Sequence, residues 1–287
     1  MFKFHLPLIF IFFVISAFFL AVKIIDVPQY AIETEKSREM PQVLAEKEVK
    51  ETVLLFGGDA MLSRVVGQRM EKYGFNWPWE KIKDQLLKAD ISVINLESPF
   101  LLNSNYLVPT GSFSFKADPK AVSGLEDAGI DLVSLANNHF GNQGQKGMLD
   151  TFKVLGDIKY VGAGKDIDSA HQGEIMEVNG IKFGFLGYGY PEILYVAGKN
   201  AGIADMDLEK MRQDVVRMKK EADVVIVLMH AGIEYVNTPN KQQKDFAHLA
   251  IDSGADLVIG HHPHWVQLFE KYKGKPIFYS LGNLVFD

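Results

Sequence analysis

The chain has 287 residues, a formal net charge of −6, eight histidines and no cysteine. That length allows one large domain with a proper core, or two small ones. The absence of cysteine excludes disulfides and thiolate metal sites, and the charge balance lacks the basic stripe of a nucleic-acid binder, so no nucleic-acid partner is expected.

The run "LPLIFIFFVISAFFLAVKII", Leu6 to Ile25, is apolar apart from Ser16 and Lys23, its one charge. About 20 such residues suffice to cross a bilayer as a helix. Lys3, His5 and the free amine precede the run. The positive-inside rule then puts the N-terminus in the cytoplasm and the rest of the chain outside. A cleaved signal peptide is the competing reading, but its apolar region is usually shorter and no A-x-A triplet follows this one. The expectation is a single-pass anchor over residues 1–25 in the cell membrane, with the lipid bilayer as a partner. Residues 26–51 are polar and mixed in charge, and read as a stalk. Residues 52–287 read as the working domain.

From Thr52 apolar strands and amphipathic helices alternate. "TVLLFGGD" suits a buried strand, and a helix is expected over Leu62–Tyr73, with another near Glu80–Lys88 after the "NWPW" turn. "DISVINLE" is a second strand. "DPKAVSGLEDAG" has the form of a helix with Asp118 as N-cap, Pro119 at its first position and Gly129 at its end. "IDLVSLANNH" is a third strand, and "GQKGMLDTFKVLG" a helix. "GEIMEVNGIKFGFLGYG" reads as a hairpin turning at Asn179-Gly180. A helix near Leu208–Ala222 leads into "DVVIVLMH", another near Gln242–Ser253 leads into "DLVIGHH", and "KGKPIFYSLGN" adds a last hairpin strand. Apolar strands alternating with helices indicate an α/β fold whose sheets are covered on both faces.

Polar residues gather where these strands end. They are Asp59, then Asn95 and Glu97, then Asn137, Asn138 and His139, then His230 with Glu234 behind it, then His261, His262 and His264. Each has an ordinary structural reading: Asp59 as a helix cap, the asparagines as turn residues, a lone histidine as a satisfied core group. In open α/β sheets, however, sites form outside the carboxyl ends of parallel strands. His262 and His264, two apart on an extended segment, share a face, and His261 points the other way. Carboxylate, amide oxygen and imidazole form a mixed N/O ligand set that suits manganese, iron or zinc. A carboxylate between two such ions allows a two-metal centre. Arg64, five residues past Asp59, is a candidate to hold an anionic substrate; its plain alternative is a solvated arginine on the first helix. Glu234 is the second candidate substrate contact.

The segments "GGDAMLSR", "NLESP", "SLANNHFGNQGQKGMLDT", "VGAG", "HAGIEY", "GADLVIGHHPHWVQ" and "IFYSLGNLVFD" resemble, in this order, those of the bacterial capsule-synthesis CapA family, also called the poly-γ-glutamate synthesis or PGA_cap family. The resemblance runs from about residue 52 to the end. The family is similar to the calcineurin-like metallophosphoesterases, which implies a four-layer α/β/β/α sandwich around two divalent metals. Position by position, it implies Asp59 as the first ligand, Glu97 as the bridging carboxylate, and Asn138 and His230 as further ligands. His139 matches the histidine that protonates the leaving group. "GHHPH" supplies the last two ligands, His262 and His264 by their spacing, with His261 in reserve. Two departures stand out. Where those enzymes have D-x-H, this chain has Asp59-Ala60-Met61, and their bridging aspartate is a glutamate here. Family members commonly continue past "SLGN-VFD", so the chain is a short member or a fragment. Two functions follow. One is a metal-dependent hydrolase outside the membrane, acting on a phosphoester or an anionic polymer. The other is a non-catalytic part of a capsule or poly-γ-glutamate assembly, working with other capsule-synthesis membrane proteins.

Overall fold

Runs of Val, Ile, Leu and Phe buried on both faces make the central strands, as sheets covered on both sides require. The structure is a computed structural model describing residues 9–13, 20–24, 51–103, 113–190 and 195–287, the first two segments by their backbone. The strands in chain order are β1 (Ile9–Phe13), β2 (Leu20–Ile24), β3 (Thr52–Ala60), β4 (Ile91–Leu96), β5 (Leu132–Ser134), β6 (Lys159–Val161), β7 (Ala163–Gly164), β8 (Glu174–Val178), β9 (Ile181–Gly189), β10 (Gly202–Ile203), β11 (Val224–His230), β12 (Leu257–His261), β13 (Phe269–Tyr272), β14 (Lys275–Phe278) and β15 (Asn283–Val285). The α-helices are α1 (Arg64–Tyr73), α2 (Lys83–Leu86), α3 (Val122–Asp127), α4 (Gly144–Val154), α5 (Ile167–His171), α6 (Leu208–Met218) and α7 (Lys241–Ser253).

The first sheet has the order β1-β2-β3-β4-β5-β6, with β15 also beside β3. From β3 to β6 its strands run parallel, and β15 joins them in the same direction. The second sheet has the order β13-β14-β12-β11-β9-β8, with its four inner strands parallel. The mixed α/β fold with parallel strands is therefore as expected. So are the β8–β9 hairpin, with Asn179 and Gly180 both at positive φ, and the Asp118 cap, whose carboxylate accepts from the Lys120 amide. The helix expected over Glu80–Lys88 is shorter: a 3₁₀ turn at Trp77–Trp79 precedes the single turn of α2.

Strand alternation sorts the core into layers. On β11, Val225, Val227 and Met229 pack with Met211, Val215 and Phe246 of α6 and α7. Ile226 and Leu228 point the other way, into a cluster with Phe56, Val93 and Leu132 of the first sheet. Beyond that sheet, Ile94, Leu96 and Val133 pack with Met70, Leu125 and Met148 of α1, α3 and α4. The order through the molecule is helices, sheet, sheet, helices.

The membrane helix expected over Leu6–Ile25 is corrected where it is described. Residues 9–13 and 20–24 are antiparallel strands, and β2 pairs with β3 in register Leu20↔Phe56. Phe, Ile and Val make a run that suits a strand as well as a helix, and β3 offers an edge to pair with. Among the described residues no helix is long and apolar enough to cross a membrane. The rest of that run, and the stalk apart from Glu51, lie outside the described residues.

Candidate metal centre

The same alternation builds the site. Past Val93 on β4, the next side chains on the face between the sheets are Asn95 and then Glu97. Past Leu228 on β11 it is His230, and past Ile259 on β12 it is His261. On β3 the register to β4 slips between Phe56 and Asp59, which turns Asp59 to that face opposite Asn95. Glycine permits this slip: a Cβ at Gly58 would lie 1.9 Å from the Gly282 carbonyl oxygen. The contact seats β15 so that Asn283 pairs in register with Asp59.

Six of the expected ligands meet at this edge. Asp59 and Glu97 are fully buried, and His230 and His264 nearly so. His264 Nδ1 lies 3.4 Å from Asp59 Oδ2, and its Nε2 lies 3.9 Å from Glu97 Oε1. One ligand atom from each of Asp59, Glu97 and His264 falls within 4.8 Å of the others. His230 Nε2 lies 2.9 Å from Asn138 Oδ1, and the His230 ring centroid is 4.8 Å from that of His262. His139 Nε2 stands 3.8 Å from Glu97 Oε1, while its Nδ1 is 2.9 Å from Asn142 Oδ1 and its ring stacks on Phe115.

The reason for the last two ligands' placement differs from the sequence reading. β12 ends at His261, so His262 and His264 do not lie on an extended strand. Both are in the left-handed region, with φ of 94° and 58°. Non-glycine residues there are strained, and such strain gathers at working sites. His261, the reserve ligand, stays on the strand and its Nε2 lies 3.2 Å from the Gly57 carbonyl oxygen, where it ties the two sheets together.

The substrate candidates stand apart from one another. Glu234 is exposed, and its charge acts on Glu97, His139, His262 and His264, which puts it at the mouth of the site. Arg64 is instead paired with Asp287 at 3.1 Å and lies over the Phe115 ring, one aromatic layer behind His139. It is an exposed side chain at the start of α1, close to the plain reading of a solvated arginine, and in this arrangement it does not face the ligands.

The electrostatics are uneven. Burial, and after it the charges of Asp59 and Glu234, push the Glu97 carboxyl well above its ordinary value. Burial also works to raise Asp59, but the hydrogen bond from His264 and the neighbouring His261, His264 and Asn95 hold it low. Burial, with three histidine neighbours and His139, drives His230 well below the usual imidazole range. Burial works to lower His264, yet its contact with Asp59 leaves it raised. Glu97 Oε1 and His262 Nδ1, both buried at this edge, have no hydrogen-bond partner. Buried polar atoms are rarely left this way unless a ligand or water completes them. Carboxylate oxygens, an amide oxygen and imidazoles, of which His230 and His262 are held below the usual range, are a donor set that fits divalent transition metals.

Sequence reasoning placed Asn95 at a strand end but gave it no role. Its amide nitrogen lies 2.8 Å from Asp59 Oδ1, 3.3 Å from Glu97 Oε2 and 3.3 Å from His230 Nδ1. The available signal was its position two before Glu97 on one strand face. Asn142, which orients His139, carried no such signal, because it lies in no expected strand; Asn283, which orients His264, ends the segment read as the last hairpin strand and has no role in the sequence reading.

The sequence profile of the family described as bacterial capsule synthesis protein PGA_cap matches residues 53–287. Over 254 residues the chain is 34% identical to the capsule biosynthesis protein CapA of Bacillus anthracis, covering 84% of this chain and 61% of that protein. Over 278 residues it is 33% identical to the PGA biosynthesis protein CapA of Bacillus subtilis (strain 168), covering 94% of this chain and 72% of that one. The chain thus spans less than two thirds of the first relative's length. A solved structure from Thermus thermophilus, described as a hypothetical protein, shares the fold with a TM-score of 0.51 at 18% identity, over 80% of this chain and 75% of that one. The chain belongs to the PGA_cap family of bacterial capsule synthesis proteins.

Proposed function

We propose that this protein is a divalent-metal-dependent hydrolase of capsule or poly-γ-glutamate biosynthesis, acting on a phosphoester or an anionic polymer. The observation that carries the reading is the buried Asp59–Glu97–His264 group with Glu97 Oε1 left unpartnered. Asp59, Glu97 and His264 would hold one ion, and Glu97, Asn138, His230 and His262 a second. Manganese, iron or zinc suit these donors. Such ions supply Lewis-acid stabilisation of charge that builds on a substrate's oxygens. His139, anchored at Nδ1 by Asn142, is the residue to move a proton at Nε2. Glu234 at the mouth would meet the substrate's cationic or hydroxyl groups; Arg64 would reach an anion only after leaving Asp287.

The α/β/β/α layering, and residues 52–287 as the working domain, belong to the same metallophosphoesterase-like reading. The likeness to the capsule biosynthesis proteins CapA supports a place at the cell envelope with that domain outside the cytoplasm. Other capsule-synthesis membrane proteins would be its neighbours there.

One observation favours a non-catalytic role in the assembly instead. Met61, fully buried, stands where a D-x-H histidine would supply a further ligand. His139→Asn separates the two readings. If the protein is a hydrolase, the variant keeps its metal and loses turnover by about 10²–10⁴-fold, the usual worth of a positioned acid or base. Full polymer production in cells carrying that variant at normal protein level would sink the hydrolase reading and leave the assembly role.

A further inference from the structure

We propose that Asn95 is a positioning residue that makes both site carboxylates monodentate toward the cation, and so sets a preference for small transition-metal ions over calcium. The inference rests on the metal-centre reading above. Asn95 Nδ2 takes one oxygen from each carboxylate: Asp59 Oδ1 at 2.8 Å and Glu97 Oε2 at 3.3 Å. The other oxygens, Asp59 Oδ2 and Glu97 Oε1, are the ones that face His264. Each carboxylate is thus split, with one oxygen on the amide and one on the site.

The amide's orientation is itself fixed. Asn137 Nδ2 donates to Asn95 Oδ1 at 3.1 Å and to the Leu96 carbonyl at 2.9 Å. With Oδ1 so engaged, only the NH₂ side can face the carboxylates. Asn95, Asn137, Asp59 and Glu97 are all fully buried, so solvent offers no substitute donor.

Denticity separates cations. Calcium takes six to eight oxygens at about 2.3–2.6 Å and commonly uses both oxygens of a carboxylate. Zinc binds fewer ligands at about 2.0–2.2 Å, and one oxygen per carboxylate suffices. For calcium to take both oxygens here, a buried hydrogen bond to Asn95 must break. If Asn95 only fills space, its loss weakens every ion alike; if it sets denticity, the ratio between ions changes.

The test is calorimetric titration of the purified full-length chain with Mn²⁺ and with Ca²⁺, for the wild type, Asn95→Ala and Asn137→Ala, with folding checked by circular dichroism. Asn95→Ala should weaken Mn²⁺ binding by about 10–100-fold, the usual cost of losing such a partner. Ca²⁺ should weaken less or tighten, so that the Mn²⁺ to Ca²⁺ affinity ratio falls by about 10-fold or more. Asn137→Ala, which frees the Asn95 amide to turn, should shift the ratio in the same direction by less. If Asn95→Ala does not fold, Asn137→Ala decides alone. Metal binding with an unchanged ratio overturns the role of Asn95 and leaves the metal centre standing. A wild-type chain that binds neither ion overturns the metal centre and this inference with it.

Discussion

The two sheets bring unlike chemistry to the same edge. The first supplies oxygen and amide groups: Asp59, Asn95, Glu97, Asn137 and Asn138, with one imidazole, His139. The second supplies imidazoles, His230, His261, His262 and His264, with one exposed carboxylate, Glu234, at the mouth. The oxygen half is cross-linked within itself, since Asn137 holds Asn95 and Asn95 holds both carboxylates. The imidazole half is not. His230 finds its partners in Asn95 and Asn138, and His264 finds Asp59 and Asn283, all in the other sheet or just beyond it. One half is ordered by its own strands, and the other is ordered only when the sheets are packed together.

The largest effect should come from breaking the oxygen half at its least satisfied point. Glu97→Gln keeps the shape and removes the charge. Metal affinity should fall by at least about 100-fold, more than the loss of a supporting residue. The metal-free variant should nonetheless melt at a higher temperature than the metal-free wild type. In the wild type a buried carboxylate sits beside Asp59 with one oxygen unpartnered. Metal content by elemental analysis and thermal melting after chelation measure the two effects. A lower melting temperature for the metal-free variant would show that Glu97 is well paired without an ion.

A pair of core substitutions tests whether the imidazole half depends on the packing between sheets. Leu228 lies in the layer between the sheets and Leu125 in the layer beneath α3; both are fully buried. Each Leu→Ala change should cost about 2–5 kcal/mol of stability. Only Leu228→Ala should also weaken metal binding, because only that cavity opens between the two halves. Equal metal affinity in both variants would mean that the halves are held by the site's own bonds.

How much of this was legible depends on how local the cause is. The strands, the Asn179-Gly180 turn and the Asp118 cap follow from short-range rules, and the structure has them. Gathering Asn95, Glu97 and His230 at one edge followed from parallel strands and period-two alternation, whereas Asp59 joins them only through the register slip in β3. The causes of the remainder are tertiary. The left-handed backbone of His262 and His264 is imposed by a loop that must leave β12 and still reach Asp59. Arg64, at the start of α1, meets Asp287 at the far end of the domain's sequence, which no local pattern reveals. The run Leu6–Ile25 has no polar face to choose between helix and strand, and where it is described the edge of β3 decides.

The smallest effect concerns a carboxylate at the opposite end of the second sheet. Asp256 lies just before β12, the strand that ends at His261. Unlike Glu97, it is fully partnered: it accepts from the Val225 amide at 2.9 Å and Lys219 Nζ at 2.7 Å, and from Lys275. Burial works to raise its carboxyl, but the two lysines and the amide hold it below its ordinary value of 3.8. Its contribution is therefore complete above that value and is lost as pH falls through the depressed one. Glu97 has the opposite sign: raised above 4.5, it costs the metal-free protein stability as pH rises from there toward its own higher value. Asp256→Asn should cost about 1 kcal/mol at neutral pH, since Lys219 is partly exposed and screened. The gap to wild type should narrow as pH falls below 3.8 and through the depressed value. Glu97→Gln should instead match the metal-free wild type in acid and exceed it as pH rises. Denaturant melts of the chelated proteins across pH read both curves. Two gaps that widen in the same direction would mean that one of these carboxylates has been assigned the wrong partners.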